Sequence, residues 1–316
     1  MSFWPPPDLD PSSPEAAGRL AVLAYHRVGD RAAAAFDPWV FTSDQQQLED
    51  QIQYFQKRHR IVGLEEALAI ASGRERLRGT AILLTFDDGY LDNYSVALPV
   101  LTSRKAEAVF FLVSGFMIGE ASPWWDRVAW LVRTARQRCF SLPTCEGPRT
   151  VDLRDRPPEE AISTVLDLYK QCPPDVAAQF VEGLESVDRD AGQPPPDRQL
   201  LGPDEAKLLC AAGMSVGAHT HSHPILARLA AERQSEEMGQ CRTILEGVIG
   251  TPVDVLAYPV GGPGDFDQVT QQLARDCGYR AAFSCHGGVN LPGRSGLYDL
   301  KRIAVYWGAN PEYLLD

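Results

Sequence analysis

Apolar residues in this chain gather into short runs separated by amphipathic stretches. The runs are Leu20–Tyr25, Ala81–Phe86, Ala108–Val113, Met214–Ala218, Val253–Tyr258, Ala281–Ser284 and Ile303–Tyr306, with a weaker one near Ile61. They are short for helices and mostly lack the polar alternation of a half-exposed strand, so they predict strands covered on both faces. Helical periodicity fills the intervals, as in Asp92–Arg104, Asp204–Ala212, Leu229–Ile249 and Phe266–Cys277. Strands alternating with helices predict an α/β fold, a parallel sheet or barrel clothed by helices. No repeat of fixed period stands out.

Two regions break the rhythm. From Gly119 to Pro203 the chain carries amphipathic segments, Trp124–Gln137, Pro158–Lys170 and Pro174–Leu184. Proline-rich joints separate them, Cys172-Pro173-Pro174 and Gln193-Pro194-Pro195-Pro196. Residues 119–203 therefore read as a helical insertion on a body spanning 19–316. Residues 1–18 are rich in proline and acids and contain no apolar h-region, so they read as a disordered lead and not a signal peptide.

Candidate chemistry gathers where the strands end. His26 follows the first run, Asp87 and Asp88 follow Ala81–Phe86, His219 follows Met214–Ala218, and Tyr258-Pro259 closes the Val253 run. Parallel barrels assemble their active sites at that end. In Thr85-Phe86-Asp87-Asp88-Gly89-Tyr90 the adjacent carboxylates point in different directions, so one can hold a cation while the other stays free as a base. Alone, such a segment better suits a strand-to-helix loop whose Asp caps the next helix. The second cluster, His219-Thr220-His221-Ser222-His223-Pro224, changes the balance. One Asp with two His four residues apart makes a three-ligand site with an open position, as a hydrolytic metal requires. One oxygen and two nitrogens suit Zn2+ first, with Co2+, Ni2+, Mn2+ or Fe2+ as alternatives. His221 lies between the two and is expected to point away.

These two segments, in this order, resemble the first two motifs of the NodB-homology polysaccharide deacetylases (carbohydrate esterase family 4), and the likeness runs from about Leu20 to about Val305. The resemblance implies a distorted (β/α) barrel of about seven strands. It implies Asp87 as the catalytic base and Asp88, His219 and His223 as metal ligands. The family's usual Leu-x-His near the C-terminus has no counterpart, since the closing strand reads Leu300-Lys301-Arg302-Ile303. Ala24-Tyr25-His26 is instead similar to the Tyr-His first strand of a permuted branch. That likeness implies His26 as the acid that protonates the leaving amine, the alternative being a core-edge His with a backbone partner. Tyr258-Pro259-Val260-Gly261-Gly262 resembles the third motif in reduced form, without the Arg before it or the Tyr after the proline. A backbone N–H, here that of Val260, can still serve as oxyanion donor. Arg302 either replaces the missing Arg and orients Asp87 or forms a surface or structural ion pair. Trp124-Trp125-Asp126 is similar to segments over the cleft in that branch, so Trp125 is either a sugar-stacking residue or core. His286 reads as structural.

Composition narrows the partners. With 316 residues, 44% of them hydrophobic, the chain can bury one large core, or one core with an insertion. The 30 Lys+Arg against 42 Asp+Glu give −12 without a basic block, which argues against nucleic acid or an anionic membrane surface as partner. No apolar run approaches the roughly 18–20 residues that cross a bilayer. Seven cysteines, an odd number without a CxxC pair, suggest reduced thiols and a cytoplasmic enzyme, or one at the inner membrane face. The expectation is a metal-dependent hydrolase removing N-acetyl groups from an N-acetylated sugar and releasing acetate. Its rivals are a hydrolase of a non-sugar amide or cyclic ureide, and a metal-free carbohydrate-binding protein.

Overall fold

A computed structural model describes residues 18–187 and 199–315. The lead expected over residues 1–18 lies outside the described residues except for Gly18, as does the joint Gln193–Pro196.

Every strand pairing in the main sheet is parallel. The strand Thr80–Phe86 pairs along its whole length with Arg19–Tyr25, from Arg19 opposite Thr80 to Tyr25 opposite Phe86. Its other edge is shared: Arg60–Ile61 covers the first half and Ala108–Leu112 the second. The order then runs through Ser215–Ala218, Val255–Ala257 and Ala281–Ser284 to Leu300–Lys301. Two residues further on, Ile303–Ala304 pairs with the far edge of Arg19–Tyr25. One stretch of chain thus joins both ends of the sheet and closes it into a distorted barrel. The strand expected at Ile303–Tyr306 begins earlier and is split, because the chain changes pairing partner at Arg302.

Side-chain alternation along the strands sorts the core. Leu20, Val22, Ala81, Leu83, Phe111 and Phe283 form one cluster with the helix Leu64–Ala71. Their neighbours Leu23, Tyr25, Leu84, Phe86 and Phe110 pack with the outer helices. Both faces are therefore apolar, which is why the sequence showed continuous runs. The expected helix Asp92–Arg104 begins as a wider π-type turn, Asn93–Ala97, before the α-helix Leu98–Arg104. Pro99, lacking an N–H, follows this turn inside a helix that runs on without a break from Leu91, so it removes one intrahelical donor beside the π-type turn.

The segment 119–203 is not helical throughout. Between the helices Trp124–Thr134 and Pro158–Lys170 lies an antiparallel hairpin, Cys139–Leu142 with Arg149–Asp152. Its alternation buries Phe140, Leu142 and Val151 and exposes Ser141, Thr150 and Asp152. These apolar residues join Val128, Ile162 and Phe180 in a separate cluster, which Tyr90, Val113 and Phe116 tie to the barrel loops. Among the described residues no helix is long and apolar enough to cross a membrane. All seven cysteines are free.

Candidate active site

At the end of Thr80–Phe86 the backbone turns left-handed over two residues, Asp88 at φ 71° and Gly89 at φ 75°. Asp tolerates this region better than most residues. The turn sends the two carboxylates apart, Asp87 toward Arg302 and Asp88 toward the histidines.

The loop after Ser215–Ala218 is fixed as firmly. Gly115 donates its N–H to the His221 carbonyl at 2.8 Å. A Cβ on Gly115 would lie 2.5 Å from that oxygen, so only glycine permits the approach. Glu237, buried on the helix Ala231–Ile249, accepts from the N–H groups of His221 (2.9 Å) and Ser222 (2.8 Å) and from the Ser222 hydroxyl (2.6 Å). Thr220 and His223 both hold positive φ, 65° and 61°. Asp88, Thr220, His223 and Val260 are four of the five non-glycine residues with positive φ among those described. Backbone conformations of this kind cluster at functional sites in proteins.

Asp88, His219 and His223 converge. Their donor atoms lie within 4.8 Å of one another and all three residues are buried. Asp88 Oδ1 is 3.6 Å from His219 Nε2 and 3.4 Å from His223 Nε2. His219 Nδ1 lies 2.8 Å from the Ala257 carbonyl, which fixes the proton there and leaves Nε2 with a lone pair facing the other two. Burial, first of all, pushes both imidazoles toward neutrality, His219 to about 4 and His223 well below its ordinary value. These contacts are therefore not ion pairs but lone pairs around a common centre. Asp88 Oδ1 and His223 Nδ1 are buried with no hydrogen-bond partner among the described residues. Burial and the neighbouring Asp87 raise the Asp88 pKa well above 3.8. A buried orphan oxygen, two neutral imidazoles and a carboxylate that lacks a countercharge all fit a divalent cation.

Asp87 has the opposite surroundings. Arg302, 1% exposed and aimed inward from the closing strand, donates to Asp87 Oδ1 at 2.7 Å. Its guanidinium also reaches Thr85 Oγ1 (3.3 Å), the Ser284 carbonyl (3.3 Å) and Cys285 Sγ (3.5 Å). Burial works to raise the Asp87 pKa, but Arg302, helped by His219 and His26, brings it down to about 2. Asp87 Oδ2 faces the histidines, 4.0 Å from His219 Nε2. The pair is interior, so Arg302 forms no surface contact.

His26 ends the strand Arg19–Tyr25 half-buried, its carbonyl accepting from Asn93 Nδ2 at 2.7 Å. Burial lowers its pKa while the charge of Asp87 raises it, which places the imidazole within the field of that carboxylate. His221 and His286 face elsewhere. His221 Nδ1 meets Ser114 Oγ at 2.9 Å, and His286 pairs with Asp299 at 3.2 Å while stacking on Phe266. Val260 (φ 61°) is the centre of a γ-turn in which the Gly261 N–H donates to the Pro259 carbonyl at 2.6 Å. Its own N–H has no partner among the described residues. Tyr258 is structural: its hydroxyl donates to the Tyr298 carbonyl at 3.0 Å and its ring stacks on Phe266.

Trp125 offers no open face to a sugar. It is 7% exposed, its indole N–H donates to the Tyr90 hydroxyl at 2.6 Å, and it packs edge-on against His223 with ring centres 4.6 Å apart. Its role is to wall His223, because the helix Trp124–Thr134 turns that face inward. The neighbouring Trp124 instead lines a cavity of about 280 Å³ with Tyr169, His223, Pro224 and Ile225.

Sequence reasoning passed over Glu237, Tyr90 and Asp126. Glu237 did leave a signal, for it shares the i, i+4, i+8 row of its helix with Cys241 and Leu245, both buried. Tyr90 donates to Asp126 Oδ2 at 3.2 Å; burial, only partly offset by Arg27, raises Asp126 to about 7.

A profile described as polysaccharide deacetylase matches residues 74–282, more than half of the chain, including both motifs. The chain belongs to that family. As a polysaccharide deacetylase it is a hydrolase of the amide bonds of N-acetyl groups. Among solved structures it is similar to the Streptococcus pyogenes deacetylase PplD in complex with acetate, with TM-score 0.61, 19% identity and coverage of 94% of this chain and 97% of that one. It is also similar to IcaB from Ammonifex degensii, with TM-score 0.57, 21% identity and 94% of each chain covered. A Bacillus subtilis (strain 168) relative named for polysaccharide deacetylation, YxkH, is 19% identical over 291 residues, 92% of this chain and 73% of its own. At these identities the two structures establish the shared fold of the deacetylase.

Proposed function

We propose that this deacetylase is metal-dependent, acts on an N-acetylated glycan, and releases acetate and a free amine. The observation that carries the reading is the buried convergence of Asp88, His219 and His223 beside a separate carboxylate, Asp87, held by Arg302. A divalent cation there, best matched by Zn2+ with Co2+, Ni2+, Mn2+ or Fe2+ as alternatives, would polarise the acetamide carbonyl and make water a nucleophile at neutral pH. Asp87 acts as general base: Arg302 occupies Oδ1, and Oδ2 takes the proton of the attacking water. The water oxygen bonds to the acyl carbon, and the free Val260 N–H donates to the carbonyl oxygen as negative charge develops. His26 delivers a proton to nitrogen as the C–N bond breaks, so the sugar leaves as an amine. Burial makes that proton easy to release, and the charge of Asp87 keeps it within reach. Arg302 positions Asp87, while Tyr258 and Pro259 hold the turn that presents Val260. The segment 119–203 is an insertion that walls one side of the site through Trp125. Seven free cysteines support a reducing compartment such as the cytoplasm.

A metal-free binding protein would carry the cost of the orphaned Asp88 Oδ1 without return, about 1–3 kcal/mol. The deciding experiment pairs elemental analysis with acetate release. Purified protein should carry about one divalent ion per chain and liberate acetate from N-acetylglucosamine oligomers. The combined His219→Ala and His223→Ala variant should lose both. Full metal occupancy in that variant, or turnover of cyclic ureides but of no acetamido sugar, would overturn the proposal.

A further inference from the structure

Positive charge gathers at the end of the barrel away from the catalytic residues. Arg19 opens the first strand opposite Thr80, and Arg60 opens its short strand opposite Ala81. Both therefore mark the N-terminal ends of the strands. From Thr80 to Asp87, at about 3.3 Å per residue, the chain spans roughly 23 Å. Two short runs meet at this far end, Lys57-Arg58-His59-Arg60 and Arg74-Glu75-Arg76-Leu77-Arg78. Neither is long enough to read as a basic block, but folding makes them the walls of one open groove of about 610 Å³. The cations Lys57, Arg58, Arg60, Arg76 and Arg78 line it with His59, and no carboxylate among the described residues does.

Both walls are held in place. Leu77 packs on the barrel core, so Arg76 and Arg78 on either side of it are left exposed. Gly18 lies so close to the Leu77 carbonyl that a Cβ would have no room, and the Arg19 N–H donates to the Gly79 carbonyl at 2.9 Å. Across the groove Lys57 and Arg58 end the helix Gln45–Arg58, which the His59 N–H closes on the Phe55 carbonyl at 2.7 Å.

Nearby acids are turned to other partners. Glu66 and Glu75 both pair with Arg60, Glu49 with Arg104 and Glu65 with Arg280. Arg58 lies over the Tyr54 ring, 4.1 Å from its centre. Lys57, Arg58, Arg76 and Arg78 thus have no ion pair among the described residues, in a chain of net charge −12. Burial, and then the charges of Arg19 and Arg58, lower the pKa of His59, so the field of the cluster is felt inside the groove. Cations at a helix C-terminus suit the helix dipole. That accounts for Lys57 and Arg58 but not for Arg76 and Arg78 across from them.

We infer that this groove binds the di- or triphosphate group of a soluble ligand, at a site separate from the catalytic one. A phosphate group concentrates up to two negative charges and three strong acceptor oxygens on one centre. A guanidinium can meet such oxygens two at a time. Successive phosphates can therefore engage both walls at once and relieve the repulsion between them. The groove is concave, and none of the large exposed apolar side chains lines it, which favours a soluble ligand over a membrane surface. Binding there is independent of the metal site and of the reaction catalysed at the other end.

Isothermal titration of the full chain with inorganic triphosphate, monophosphate and citrate tests it. Triphosphate should bind roughly ten-fold more tightly than monophosphate or citrate. Its affinity should fall as salt rises from about 0.05 M to about 0.5 M. The combined Arg76→Gln and Arg78→Gln variant should weaken it by about ten-fold or more, and so should Lys57→Gln. All these side chains are exposed, and thermal unfolding checks that each variant is folded. The combined Lys207→Gln and Arg233→Gln variant, which removes exposed charge elsewhere, should bind as the wild type does. So should His219→Ala, because triphosphate is not held by a catalytic metal. The site is refuted if triphosphate does not bind, if citrate binds as tightly, or if the Lys207 and Arg233 variant loses as much affinity as the groove variants. Binding abolished in His219→Ala would place the anion on the metal instead. Protein that sediments with phosphatidylglycerol vesicles but ignores triphosphate would make this face a membrane contact and overturn the inference.

Discussion

Replacing Arg302 by methionine keeps an apolar stem of similar reach and removes one charge from the barrel interior. The guanidinium lost is the partner of Asp87 at 2.7 Å, and both side chains are shielded from solvent, 0% and 3% exposed. Stripping one member from a buried ion pair costs roughly 3–5 kcal/mol, because the other is left charged and uncompensated. Part of that cost can be read from titration. Asp87 is held at about 2 against an ordinary 3.8, a difference worth roughly 2 kcal/mol. A carboxyl depressed in the folded state stabilises the fold above its unfolded pKa, and that stability is lost as pH falls from 3.8 toward about 2. Without Arg302 burial dominates, the folded pKa rises above 3.8, and the sign reverses: stability then declines as pH rises through the new value. The stability gap between wild type and Arg302→Met should therefore already be roughly 2 kcal/mol near pH 4 and widen further toward neutrality as the variant's Asp87 ionises. Urea unfolding of chelator-treated protein between about pH 4 and about pH 8 measures it. A gap that is the same at every pH, or under roughly 1 kcal/mol at neutrality as for an exposed pair, would refute the reasoning.

The other predictions concern the division of labour at the site. Asp87→Asn should keep its metal while losing about 10²–10⁴ in rate, the contribution of a general base; Asp88→Asn should lose the metal itself. Elemental analysis beside acetate release checks this, and the opposite pattern would exchange the two roles. His26→Ala should retain metal and fold but lose most of its kcat toward an unactivated acetamide, with a much smaller loss toward an activated aryl acetate, which needs little protonation. Equal losses on both substrates would make His26 structural, and neither His221 nor His286 is placed to take over.

Much of the site could be read from local sequence, for a physical reason. Strands covered on both faces must be apolar throughout, so Leu20–Tyr25 and Ala81–Phe86 announce themselves without an alignment. Ligand chemistry is local as well. Histidines four residues apart on one loop, and an Asp pair at a strand end, can meet a single cation whatever surrounds them. The hairpin Cys139–Leu142/Arg149–Asp152 was less legible, because a few alternating residues between helices carry too weak a period.

The sequence by itself determined the succession of strands and helices, the end of the barrel at which chemistry collects, and the residue types able to hold a cation. Tertiary structure alone decided their partners. Arg302 and Asp87 lie 215 residues apart in sequence, and only closure of the barrel by Leu300–Ala304 makes the guanidinium an interior group. Closure likewise brings Trp307 toward Arg31. The choice between a sugar-facing and a core Trp125 depended on which face of Trp124–Thr134 packs against Tyr90 and His223. Glu237 took its meaning from the loop above it. Composition and periodicity report what a residue can do locally, whereas burial and electrostatic pairing depend on chain segments that meet only once the sheet has closed.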